Sequence, residues 1–174
     1  MIPVLSSSGG EAVLDHAVFA LTFAAAIGCG LVAGIFFAFS SFVMKALGRL
    51  PSDHCIAAMN AINLTVINPG FVLLFFGSGV ACVALAADAA WHWGKGGAVL
   101  VLAAAALYLV GCIGVRMVRN VPLNDALAAA TIGTPEAAVL WTRYLGEWTF
   151  WNMVRTAASG AAAVLFIAVL AAGS

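Results

Sequence analysis

Residues 98–115 read AVLVLAAAALYLVGCIGV, an apolar run that no charged side chain interrupts. At about 1.5 Å of helical rise per residue, such a run approaches the roughly 20 apolar residues that cross the hydrocarbon of a bilayer. Followed to its polar limits it covers about 94–118, and three more segments read the same way, at about 15–44, 66–90 and 152–172. The expected fold class is therefore all-α: an integral membrane four-helix bundle with a short helical segment in the first connection and a long third connection. Residues 1–174 are expected to form one membrane domain, with no separate soluble domain.

Composition leads to the same class. Of 174 residues, 64% are apolar and 8% charged, whereas a soluble domain carries about 25% charged residues to cover its surface. The polar first eleven residues hold no Lys or Arg, and the apolar run behind them is longer than a secretory h-region, so no cleaved signal peptide is expected. Zero net charge provides no field for nucleic acid. The basic residues matter by position. Lys45, Arg49, Arg116, Arg119, Arg143 and Arg155 lie beside the first and third connections, and only Lys95 lies on the other side. The positive-inside rule then puts the connections 45–65 and 119–150 in the cytoplasm, and both termini outside the cytoplasm of a multi-pass cell-membrane protein.

Local signals set the connections. After Pro51, Ser52 and Asp53 suit a helix start, and Asn60 and Asn63 share a face of the short helix that follows. Pro69 and Pro135 suit first-turn positions, with Thr134 able to cap the helix after it. Trp91 and Trp93 flank a tight outer turn as interfacial anchors. Gly30 and Gly34 have the spacing of close helix packing. Phe36, Phe37, Phe39 and Phe42 form an aromatic wall that either faces lipid or lines an apolar pocket. Cys29, Cys55, Cys82 and Cys112 are widely spaced and read as small buried hydrophobes, not as a disulfide or zinc framework.

From Trp141 the chain runs WTRYLGEWTFWNMVRT. Helical spacing puts Trp141, Tyr144, Trp148, Trp151 or Asn152, and Arg155 along one stripe. An interfacial belt explains the aromatics, but not Asn152 and Arg155 entering the membrane with them. An ionisable side chain there costs about 2.5 kcal/mol or more at the bilayer centre and turns towards a cavity or partner, unless it snorkels to the interface. Asn60, Asn63, Asn68, Asn120, Asn124 and Asn152 all fall near the cytoplasmic helix ends, more than capping requires. A polar pocket between those ends is the sharper expectation, and one helix is expected from Pro135 to about Ala172.

Taken together, Gly34-Ile35-Phe36-Phe37-Ala38-Phe39-Ser40, Met59-Asn60-Ala61-Ile62-Asn63, Asn68-Pro69, Asn120-Val121-Pro122-Leu123-Asn124-Asp125 and Trp141-x-x-Tyr144-x-x-x-Trp148-Thr149-x-Trp151-Asn152-x-x-Arg155-Thr156 resemble the anthrone oxygenase-like family of small four-helix membrane proteins. The likeness covers about residues 20 to 170. It implies a membrane-bound oxidoreductase that oxidises an anthrone-like or phenolic aromatic substrate with molecular oxygen, with no clearly assigned cofactor. On that reading Asn63, Asn120, Asn124, Asn152 and Arg155 are the expected donors and Asp125 or His54 the expected base. Tyr144, Trp148 and Trp151 form a stacking wall, with Phe37 and Phe39 as an apolar floor. Many relatives carry His where this chain has Met153, so a role for that His does not carry over.

The competing expectation is a non-catalytic membrane module that binds a lipid, a quinone or a partner subunit in the same pocket. A haem or metal protein finds little support in His16, His54 and His92, which do not pair on facing helices, so no metal or cofactor is predicted. The expected partners are membrane lipid, a small aromatic or hydrophobic ligand and, as a homo-oligomer, further copies of the chain.

Overall fold

A computed structural model describes residues 8–94 and 96–173. Five helices account for nearly all of them: α1 (residues 8–47), α2 (Ser52–Thr65), α3 (Pro69–Trp91), α4 (Ala98–Ala128) and α5 (Pro135–Gly173). All but α2 are long and apolar enough to cross a membrane. The protein is a multi-pass membrane bundle, and no strand occurs among the described residues. Large apolar side chains such as Phe23, Leu31, Leu73, Val80, Val110 and Ile167 point outward, as lipid contact requires.

The turns follow their local chemistry. Asn68 caps α3 by accepting from the Phe71 amide at 3.0 Å, with Pro69 in the first turn. Gly97 adopts φ 88° immediately before α4, a left-handed conformation that glycine enters without a steric penalty. Thr134 accepts from the Ala137 amide at 3.2 Å to start α5.

The long third connection is helical for most of its length. Pro122 lacks an amide and in a regular α-helix would collide with the preceding turn. A π-helical segment, Arg116–Asn120, widens that turn, with the Val121 amide donating to the Arg116 carbonyl. α4 therefore continues to Ala128, leaving only residues 129–134 between it and α5. α5 spans 39 residues, about 58 Å at the usual rise, so roughly half of it projects beyond a ~30 Å hydrocarbon layer.

Helix packing corrects one expectation. Gly34 does not bring helices together, since nothing lies within 4 Å of where its Cβ would stand, and a Cβ at Gly30 would make only ordinary contact with the Ala163 Cβ of α5 at 3.9 Å. Gly28 does so instead, because a Cβ there would collide with Ser78 of α3. On the other side of the bundle a Cβ at Gly111 would come within 2.7 Å of the Ala158 Cβ, drawing α4 against α5. Two cores result. One fills the membrane part around Cys29, Phe36, Phe75, Tyr108 and Phe166. The other lies under α2, where Cys55, Ile56 and Met59 pack on Met44, Leu127, Trp141, Tyr144 and Trp148.

Candidate functional site

Where the two cores meet, all five helices surround a cavity of about 50 Å³. α1 contributes Ile35, Phe36 and Phe39; α2 contributes Met59, Ile62 and Asn63; Val66 and Phe71 follow at the α2–α3 corner. The polar groups come mainly from α4, with Arg116, Asn120 and Asn124, and from α5, with Trp148 and Arg155. No Asp, Glu or His is among the lining residues.

Arg155 is buried, only 3% exposed. Its guanidinium lies 3.8 Å from the centre of the Phe36 ring, a cation–π contact that offsets part of its desolvation. One Nη1 donates to Asn152 Oδ1 at 3.4 Å, and Nε has no partner. Asn152 is fixed from its other end: Nδ2 donates to the Phe36 carbonyl at 2.7 Å and to Ser40 Oγ at 2.8 Å. A π-helical turn, Phe39–Val43, interrupts α1 at this level, and Ser40 is its buried residue. Such turns interrupt α-helices often at functional sites.

On the facing side, Asn120 Nδ2 donates to the Trp148 carbonyl at 3.2 Å, and Tyr144 donates through its hydroxyl to Asn124 Oδ1 at 2.8 Å. Trp141, Tyr144 and Trp148 stack in sequence, with ring centres 5.6 and 6.0 Å apart and planes within 20°. Phe39 leans on Trp148 at 6.0 Å. Four groups of the lining residues remain buried and unpartnered: Asn63 Nδ2, Asn120 Oδ1, Trp148 Nε1 and Arg155 Nε. Unpaired buried polar groups each cost about 1–3 kcal/mol. At about 10–15 Å³ per water, the cavity has room for a few waters or a small polar fragment to meet them.

Helical phase explains which expected residues reach the cavity. Asn63, Asn120, Asn124, Arg155, Phe39 and Trp148 line it. Asn152 and Tyr144 stand behind it, buried and bonded to lining residues. Phe37 lies 100° round from Phe36 and is 57% exposed on the outer face, so it is no part of the floor. Trp151 is half-buried on the flank, under Arg119 at 4.6 Å. Asp125 and His54, the expected bases, are exposed, each adjacent in sequence to an inward-facing residue, Asn124 and Cys55. Met153 is also exposed, so its side chain faces away from the cavity. Asn68 serves as a cap, on the surface. Arg116, which the sequence offered both as a topology marker and as a possible site residue, is on the lining, as the four-residue steps Arg116, Asn120, Asn124 along one face of α4 would have it.

Over residues 71–165, more than half of the chain, the sequence matches the family model described as anthrone oxygenase. The chain belongs to the anthrone oxygenase family. No curated protein and no solved structure matches it. The matched stretch runs from α3 to α5 and contains Phe71, Arg116, Asn120, Asn124, Trp148 and Arg155 of the cavity. The rest of the lining comes from α1, α2 and Val66 at the corner after α2. Among the described residues, no group of three or more His, Cys, Asp or Glu stands together as a metal site would require.

Proposed function

We propose that this anthrone oxygenase family member oxidises a membrane-soluble, anthrone-like or phenolic aromatic at the five-helix cavity, using molecular oxygen. The observation that carries the reading is Arg155, a buried guanidinium with an unpartnered Nε, facing an aromatic-lined space that holds no carboxylate or imidazole. Such an arrangement stabilises an oxyanion in a site of low dielectric.

The chemistry starts with loss of the acidic methylene proton of the anthrone to water. No lining residue is a base, so the guanidiniums act by favouring the enolate over the neutral ketone. The carbanion electron pair forms a C–O bond to dioxygen, and protonation gives a hydroperoxide. Loss of water from the C–H and O–OH groups yields the second carbonyl. One dioxygen is consumed, and one water released, per quinone formed. Trp148 and Phe39 supply faces for the ring system, and Asn63 and Asn120 supply polar contacts at its edge. A tricyclic ligand exceeds about 50 Å³, so entry requires the Val66–Phe71 corner and α2 to move outward. We place this end in the cytoplasm, since six of the seven basic residues flank it.

The lack of a base also favours the second reading, a module that binds a quinone or lipid without reaction. Oxygen uptake by purified protein in lipid nanodiscs with anthrone separates the two. The oxygenase reading predicts uptake equal to anthraquinone formed, reduced by about tenfold or more in Asn120→Ala. No uptake above empty nanodiscs would leave binding as the function.

A further inference from the structure

The cavity carries a second cation that a single oxyanion leaves unmatched. Arg116 lines the same space as Arg155, its guanidinium 5.6 Å from the centre of the Phe75 ring. Neither arginine makes an ion pair among the described residues. The acids at this end face away: Asp53, Asp125 and Glu136 are exposed, and Glu147 binds Arg143 at 2.8 Å on the surface. Arginine does not lose its proton in proteins. The cavity therefore holds two like charges, one buried at Arg155 and one half-buried at Arg116, and a buried charge without a counter-charge is costly.

A monoanionic ligand leaves half of that charge uncompensated. A ligand with two ionised oxygen groups neutralises both guanidiniums, and a carboxylate suits the forked donors of arginine better than any other common group. We infer that the substrate of this site is an aromatic acid, which places its reacting oxyanion at Arg155 and a ring carboxylate at Arg116. This rests on the reading of the cavity as the substrate site. It goes further by naming an acidic substituent and making Arg116 a residue that determines specificity.

The test uses product-like probes that need no turnover. Binding of anthraquinone-2-carboxylate and of anthraquinone to the full chain in neutral-lipid nanodiscs is compared under argon, corrected for partition into empty discs. The wild-type protein should prefer the carboxylate by about tenfold or more. Arg116→Gln should bring the preference close to unity, and Arg116→Lys should retain part of it because the charge remains. Equal affinity of the two probes for the wild-type protein, or no binding of the carboxylate, would overturn the inference even if anthrone is oxidised. A preference that Arg116→Gln leaves intact would overturn the role of Arg116. A carboxylate preference without oxygen uptake would remove the oxygenase reading and the reacting oxyanion with it, and leave Arg116 as the carboxylate contact of a binding site.

Discussion

Replacing Arg155 by Met should reduce oxygen uptake with anthrone by about two orders of magnitude, and the protein should unfold at the same temperature or a higher one. The two effects separate because Arg155 is a poor structural residue. It is buried, it has no acidic partner among the described residues, and one of its donors is unpaired. Substituting buried charges by apolar side chains of similar volume is often neutral or stabilising, and Met keeps contact with Phe36. If the arginine served only to hold the helices together, Arg155→Met would lose stability. Thermal unfolding in detergent, measured beside oxygen uptake on the same preparation, reads both quantities.

Asn152→Ala should behave in the opposite way, losing stability and activity together. The amide is fully buried, and its Nδ2 bridges the Phe36 carbonyl and Ser40 Oγ across α1 and α5. Truncation leaves both acceptors unmet, at a cost of about 1–3 kcal/mol. It also removes the Asn152 Oδ1 acceptor of the Arg155 guanidinium. Asn152 does not line the cavity, so it acts as a positioning residue. Turnover per folded molecule should fall by about tenfold or more, while KM changes little. A variant that is less stable but fully active per folded molecule would show that the amide only holds the helices.

The membrane bundle was legible because four apolar runs of sufficient length leave a chain this poor in charge few other folds. The start of α5 at Pro135 was legible through its cap and proline, and the stripe from Trp141 to Arg155 through its period. What sequence spacing blurred was phase within a turn. Phe37 and Phe39 looked equivalent, as did Asn124 and Asp125, yet one residue of rotation sends Phe37 to the lipid side and Asp125 to solvent. The extension of α4 past Pro122 was hidden because it depends on a π turn, which has no composition of its own. The packing role fell to Gly28 and not to the Gly30–Gly34 pair for a similar reason: the close approach there is fixed by Ser78 on another helix, and no spacing within α1 reports it.

Photolabelling tests most directly the claim that the cavity around Arg155 is where the aromatic ligand sits. A diazirine-bearing anthraquinone, irradiated with the protein in nanodiscs and mapped by peptide mass spectrometry, should label Phe39, Met59, Asn63 and Trp148, all on the cavity lining. Excess unlabelled anthraquinone should suppress that labelling. Labels confined to outward-facing side chains such as Phe37 and Phe150, or to the opposite end of the bundle around Asp88 and His92, would contradict the account.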